Sequence, residues 1–233
     1  MCLSATVSFS AAAVLVSTGV YAANQAKQLP TPYMLWALVP VLFGLQQAFE
    51  GGVWLALDAG NASSAVPFAL GFHFFSHFLW LWWFPLCSYL IEPNQPSYIN
   101  RLRNKLFSTC AILGVFAGSL VYTFLLLHAE WMTVLINEKS IVYDFQVPYR
   151  SDIHMPITPA MLYVMIILLP LFFSSHKQIR IFGVLVMLSM LITTTINNAA
   201  YVSVWCFFAA GLSLYLAYMI RHVVITAQSQ PTA

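Results

Sequence analysis

Seven apolar stretches of this chain are each long enough to cross the roughly 30 Å hydrocarbon core of a bilayer as a helix. They run approximately over residues 4–23, 33–57, 65–91, 106–128, 157–174, 179–198 and 201–221. The last two spans are separated by only four residues, Asn197-Asn198-Ala199-Ala200. We count two spans because the segment between Arg180 and Arg221 is about twice as long as one span needs. We therefore predict an all-α polytopic membrane protein with seven transmembrane helices.

The composition supports a membrane protein and excludes several other classes. Hydrophobic residues make up 61% of the 233 residues and charged residues only 7%, whereas a soluble domain carries about 25% charged residues. A surface with so few charges must face lipid. The net charge of +2 and the absence of a dense basic cluster argue against a nucleic-acid partner. The four cysteines show no CxxC spacing, so no disulfide framework is predicted.

Lysine and arginine are distributed unevenly between the two sides of the predicted bundle. Seven fall on one side: Lys27, Arg101, Arg103, Lys105, Lys177, Arg180 and Arg221. Two, Lys139 and Arg150, fall on the other. Because loops rich in positive charge stay in the cytoplasm, we predict an external N-terminus and a cytoplasmic C-terminus. The expected location is the inner membrane of a bacterium.

The chain is predicted to form one transmembrane domain, residues 1–222, followed by a polar cytoplasmic tail, residues 223–233. Its one long loop, residues 129–156, is predicted outside. There TVLIN and SIVYDF flank Glu138 and Lys139, a pattern that predicts a β-hairpin over the outer mouth of the bundle. The hairpin is interpreted either as a lid or as a surface feature without function.

Three ionisable residues, Glu50, His73 and His77, lie inside the second and third predicted spans. Such residues are costly at membrane depth and usually face a cavity or one another. The loop between the two spans turns near Asn61, so we expect Glu50 and His73 at nearly equal depth in the outer half of the bilayer. His77 lies one turn deeper on the same helix face as His73.

Several kinds of site fit these three residues. Two histidines at i and i+4 with a carboxylate from a neighbouring helix can bind zinc, copper or iron, with a position left for an activated water. The HxxxH spacing lacks the glutamate of HExxH, so no general base is supplied. Proton or substrate handling is a second reading. A third is a structural Glu–His ion pair, hydrogen-bonded to Gln46 or Gln47, that locks two helices.

Other polar residues converge on the same side of the membrane and are predicted to line an outward-facing pocket. Gln46 and Gln47 lie one turn below Glu50. The remaining candidates for binding a cofactor or ligand lie near external helix ends, namely Cys2, His128 and Asn197. Haem would need ligands on opposite faces, which His73 and His77 cannot both supply, so His128 would have to be the second ligand. Retinal is excluded because no lysine lies in a predicted span.

The chain begins Met1-Cys2-Leu3-Ser4-Ala5, and Phe43 through Trp54 fits the pattern FGxQQxxEGxVW. In these two motifs it resembles an uncharacterised bacterial family of seven-helix membrane proteins. The resemblance implies that Cys2, Gln47, Glu50 and Trp54 should be tested together, and it implies no activity, substrate or cofactor.

We expect a membrane protein that binds a small molecule or metal ion at a site open to the periplasm. A proton-linked transporter that uses the same residues, or an accessory membrane subunit, are the alternatives. Whether the protein is an enzyme stays open. The expected partners are the lipid bilayer and that ligand, and oligomerisation is left open.

Overall fold

The computed structural model describes residues 4–93, 97–137, 140–145, 158–196 and 201–229. These residues form an antiparallel helical bundle with one β-hairpin. The helices are α1 Ala5–Ala26, α2 Thr31–Ala37, α3 Val39–Asp58, α4 Ala62–His73, a π-helical segment Phe74–Leu79, α5 Trp80–Ile91, α6 Tyr98–Leu127, α7 Pro159–Phe173, α8 Lys177–Ile196 and α9 Tyr201–Ser229. The strands are β1 Met132–Asn137 and β2 Ser140–Phe145, preceded by a 3₁₀ turn, Ala129–Trp131.

Five helical stretches of the described chain are long and apolar enough to cross a membrane. They are Ala5–Ala26, Thr31–Asp58, Ala62–Ile91, Tyr98–Leu127 and Ala210–Ser229. Helix α7 is apolar but shorter, with 15 residues. The prediction of a mainly helical chain with several helices long and apolar enough to span a membrane is therefore confirmed, and the count of seven spans stays a prediction.

Two predicted boundaries differ from the observed ones. The second predicted span is divided between α2 and α3 at Leu38, because Pro40 at the start of α3 has no N–H to donate to the preceding turn. Helix α9 continues to Ser229, so residues 223–229 are helical rather than a loose tail. The polar residues of this stretch therefore do not mark the end of the helix.

A tight turn joins α3 to α4 and sets how these helices face each other. Gly60 has a positive φ of 71°, and its N–H donates to Leu57 O while the N–H of Asn61 donates to Ala56 O. This is the Schellman pattern that ends many helices. Asn61 then starts α4, because its side-chain oxygen accepts from the N–H of Ser64 at 3.1 Å.

Helix α6 approaches the backbone of the third helical stretch through two glycines. A Cβ on Gly114 would overlap Leu81 O, and one on Gly118 would lie 3.2 Å from His77 O. Leu81 O lacks the usual intrahelical donor, because the residue four positions later is Pro85. Small residues at this i, i+4 spacing are typical of closely packed membrane helices.

The predicted β-hairpin is confirmed. Strands β1 and β2 are antiparallel, with Asn137 paired to Ser140 at the loop end and Met132 paired to Phe145 at the other. Its buried residues Val134 and Ile141 pack with Trp54 of α3 and with residues of α4. We call this end of the bundle the hairpin end.

At the opposite end, buried Glu92 joins two helix-to-helix loops, and we call this end the basic end. Its carboxylate forms an ion pair with Arg103 Nη1 at 3.3 Å and accepts from Ser174 Oγ at 2.7 Å and Ser175 N at 2.8 Å. Arg103 Nε also donates to Phe173 O at 2.7 Å. One carboxylate thus ties the C-terminal ends of α5 and α7 to α6.

A matched pair of glycine substitutions tests the packing of α6. Gly114→Ala would place a methyl group against backbone, so we expect a loss of about 1–3 kcal/mol in unfolding free energy and a lower melting temperature in detergent. Gly211→Ala is the control, since a Cβ there meets nothing within 4 Å; it should leave the melting temperature unchanged or raise it. Equal effects would contradict the close approach.

Replacing Glu92 tests the network at the basic end. Glu92→Gln removes the charge that Arg103 pairs with, so we expect a loss of about 3 kcal/mol in unfolding free energy, measured by denaturation in detergent. The control is Glu130→Gln, because Glu130 is 63% exposed beside His128 and should contribute less than about 1 kcal/mol. A Glu92 variant as stable as this control would contradict the structural role.

Candidate functional site

One buried face of α3 carries four polar side chains, which we call the polar stripe: Gln46, Gln47, Glu50 and Trp54. Spacings of three and four residues place them on the same side of the helix. The first three have 0% exposure and Trp54 has 3%. A carboxylate and two amides among apolar helices are costly unless they are hydrogen-bonded, so this face must meet polar groups.

Two hydrogen bonds organise the stripe. Gln47 Nε2 donates to Glu50 Oε2 at 3.2 Å within α3. Gln46 Oε1 accepts from Trp80 Nε1 of α5 at 2.8 Å, and the ring of Phe43 stacks on Trp80 with centroids 4.1 Å apart. The predicted polar residues therefore do lie together, and Trp80 joins them from a neighbouring helix.

Three buried polar atoms around Glu50 have no hydrogen-bond partner among the described residues. They are Gln46 Nε2, Trp54 Nε1 and Ser8 Oγ. Gln46 lies one turn from Glu50 towards the basic end, and Trp54 lies one turn towards the hairpin end. Helix α1 brings Ser8 to the same level, because its neighbour Phe9 packs on Gly51. Buried donors without partners usually mark a place for water or a ligand.

The two histidines lie side by side but bond to their own helix. His73 Nδ1 donates to Ala69 O at 2.7 Å, and His77 Nδ1 contacts Ser76 Oγ at 2.9 Å. Their ring centroids are 4.8 Å apart. Because Ala69 O can only accept, Nδ1 of His73 carries the proton, which leaves Nε2 as an acceptor in the neutral ring. Tyr143 of β2 meets the His73 ring edge-to-face at 4.6 Å, so the hairpin covers this histidine.

His77 lies in the π-helical segment Phe74–Leu79, which was not predicted from the sequence. This segment opens the backbone, and Tyr163 of α7 donates its hydroxyl to Ser76 O at 2.6 Å. Single π-helical turns are rare and occur often at functional sites. No signal in FFSHFL distinguishes this segment from an ordinary helix.

Glu50 and His73 do not lie at the same depth. Gly52 of α3 packs on the ring of Phe68 of α4, and this register places Gln47 rather than Glu50 opposite His73. The predicted equal depth is therefore wrong by about one helical turn. The error arose because the turn was centred near Asn61, whereas the observed helix ends centre it on residue 60.

Glu50, His73 and His77 do not form a metal site in the described part of the chain. No three His, Cys, Asp or Glu side chains there lie close enough to hold a metal ion. The described contacts of the two histidines also do not include Glu50, so the helix-locking Glu–His pair is not observed among them. The predicted zinc, copper or iron site finds no support from these residues.

The other predicted ligands lie apart from this stripe or outside the described residues. His128, at the C-terminal end of α6, stacks on Trp131 at 4.0 Å and lies 3.5 Å from Glu130. Its described ring contacts do not include His73 or His77. Cys2 and Asn197 fall outside the described residues, and their roles stay predictions.

The arrangement suits binding of a small polar group more than covalent chemistry. Trp54 and Gln46 supply N–H donors without a partner among the described residues, one turn to either side of Glu50 along α3. Trp80 and Tyr143 contribute to the site and its cover, and neither was predicted from the sequence. Trp80 is one of several aromatic residues in FLWLWWF, so the sequence does not show which of them faces α3. The rotation that the π-helical segment introduces turns Trp80 towards Gln46.

The chain belongs to a family of unknown function, DUF6629, whose family model matches residues 1–230. No curated protein and no solved structure matches it. Membership of an uncharacterised family agrees with the resemblance drawn from the sequence. The two motifs and the bacterial origin stay predictions.

Cover of His73 by the hairpin is open to a direct test. Tyr143→Ala removes the ring that packs on His73, so we expect carbethoxylation of His73 by diethylpyrocarbonate to become several-fold faster. Mass spectrometry of the His73 peptide gives the rate. Tyr143→Phe keeps the ring and should leave the rate close to wild type. A His73 that reacts equally fast in all three proteins would contradict the cover.

Proposed function

We propose that this member of the DUF6629 family is an integral membrane protein that binds a small polar solute at the polar stripe of α3. The observation that carries the proposal is a fully buried carboxylate, Glu50, between two buried N–H donors that lack a partner among the described residues. Leaving such donors empty at membrane depth is unfavourable by several kcal/mol each. A solute with acceptor atoms would satisfy Gln46 Nε2 and Trp54 Nε1.

The proposed orientation places the site near the outer surface. We propose seven spans, with α7 and α8 adding to the five stretches that meet the length and hydropathy criteria. The basic end would be cytoplasmic, in a bacterial inner membrane, since Lys27, Arg101 and Lys105 lie there. The hairpin end would then face the periplasm, and the polar stripe would be reached from that side.

A proton-linked transporter is the second candidate, and the burial of Glu50 favours it. A buried carboxylate that loses its charge when protonated can couple proton binding to solute binding. This reading uses the same residues and differs in one measurable respect. It predicts that solute enters proteoliposomes in proportion to an imposed pH gradient, which binding alone does not require.

The proposal is tested by the thermal stability of the protein in lipid nanodiscs with a panel of small polar solutes. A solute that binds the folded state should raise the melting temperature, and the shift should grow with the logarithm of solute concentration above Kd. At one hundred times Kd the gain in unfolding free energy is about 2.7 kcal/mol. Glu50→Gln and Trp54→Phe should each weaken binding about tenfold, since the first replaces a charged acceptor oxygen by an amide NH2 and the second removes an N–H donor.

The control variant for this test is Glu130→Gln, which changes an exposed carboxylate at the same end of the bundle. It should bind like wild type. If no solute in the panel gives a shift that depends on Glu50 and Trp54, the polar stripe serves helix packing and the proposal fails.

A further inference from the structure

The first two turns of α6 carry basic and apolar side chains on one exposed face. Tyr98, Arg101, Leu102 and Lys105 follow the spacing i, i+3, i+4, i+7, which places them along one side of the helix. Tyr98 is 72% exposed and Leu102 is 49% exposed, and both cations are exposed as well. We call these four residues the basic face of α6.

The basic face points away from the bundle, because the opposite side of α6 makes the contacts with other helices. Arg103 lies two positions from each of the two cations, about 160° around the helix. It pairs with Glu92 at 3.3 Å and donates to Phe173 O at 2.7 Å. Further along α6, the side that carries the basic face continues with Ile112 at 69% and Phe116 at 63% exposure. The basic face therefore leads directly into an exposed apolar surface.

The basic face lies where a membrane-spanning α6 leaves the hydrocarbon. The 30 residues of α6 are about 45 Å long, whereas the hydrocarbon core is roughly 30 Å thick. The helix rises about 33 Å between Lys105 and Leu127, its last residue, so these two residues lie near the two boundaries of the core. Tyr98 and Arg101 then lie in the headgroup layer at the basic end.

The positive charge of this end exceeds its negative charge. Glu92 is the one acidic side chain there in the described part of the chain, and its carboxylate already binds Arg103, Ser174 and Ser175. The other described aspartates and glutamates lie in α3 or at the hairpin end, namely Glu50, Asp58, Glu130 and Asp144. The basic face thus presents two cations to the headgroup layer and attracts anions from it.

We propose that the basic face binds the headgroup of an anionic phospholipid in the membrane leaflet at the basic end. Arg101 and Lys105 donate to the phosphate oxygens, and Tyr98 and Leu102 contact the glycerol region. One acyl chain lies along the exposed apolar surface of α6 that continues the face. The inference needs the membrane location in the proposed function and is otherwise independent of the polar stripe.

The composition of the face favours a lipid over two other occupants. A water-soluble acidic partner would pair with the two cations and has no need of the apolar surface that continues below them. A second copy of this chain would bring like charges together, which is unfavourable. A phospholipid matches both parts, because its charged head and its apolar chain follow each other in the same order along the membrane normal.

The test is native mass spectrometry of the full-length protein released from nanodiscs of equal parts phosphatidylglycerol and phosphatidylcholine with identical acyl chains. Each lysine or arginine near the surface favours an anionic lipid about fivefold. We therefore expect the most tightly retained lipid to be phosphatidylglycerol, by about five- to thirtyfold over phosphatidylcholine. The double variant Arg101→Gln with Lys105→Gln should lower this ratio at least fivefold.

Two further double variants separate a site from general attraction. Lys27→Gln with Arg221→Gln removes the same charge from α1 and α9 and should leave the ratio within about twofold of wild type. Arg101→Lys with Lys105→Arg keeps both charges of the basic face and should also retain the preference. The melting temperature of each variant in detergent shows that it is folded.

Several results would overturn the inference. Equal retention of the two lipids by the wild type rejects the site, as does an equal loss of preference in the two charge-removing variants. A dimer that carries no lipid and is lost in the variant of the basic face assigns this surface to a second copy instead. These results leave the polar stripe untouched, whereas a protein that does not insert into nanodiscs rejects the proposed function as well.

Discussion

The hydrogen bond from Trp80 Nε1 to Gln46 Oε1 determines how α3 meets α5. In an apolar bundle a buried amide without a partner is costly, so this 2.8 Å contact strongly favours one rotation of each helix. Phe43 stacks on the same indole, and the two contacts together hold two successive turns of α3. Glu50, one turn further along, is consequently turned towards the bundle interior and away from lipid.

The π-helical segment makes that contact possible while His73 faces elsewhere. One additional residue in a helix rotates everything after it by about 100°. Before the segment, Phe72 and His73 contact Tyr143 of the hairpin. After it, Trp80 reaches Gln46. In a regular helix these two sets of contacts would not both form. The π-helical segment therefore allows His73 to contact the hairpin while Trp80 contacts α3.

Elements that have a periodic pattern along the chain could be predicted from the sequence. Contacts that depend on the rotation of one helix against another could not. Apolar runs located the helices, and alternating residues around Glu138 and Lys139 located the hairpin, because both signals are periodic along the chain. The grouping of Gln46, Gln47 and Glu50 followed from helical spacing. Helical spacing did not predict the depth of His73, the π-helical segment or the Glu92 network, because each depends on how separate helices pack.

The hairpin is the element best suited to control access to the site. Two strands alone are only marginally stable in water, so its position depends on Val134 and Ile141 packing against α3 and α4. Its other face is exposed, with Leu135 at 53% and Ile136 at 45%. Movement of the hairpin would uncover His73, whereas the bond from Gln47 to Glu50 lies within α3 and the bond from Trp80 to Gln46 joins α5 to α3. In the proposed function, opening of the hairpin and binding at the stripe would therefore involve different contacts of the protein.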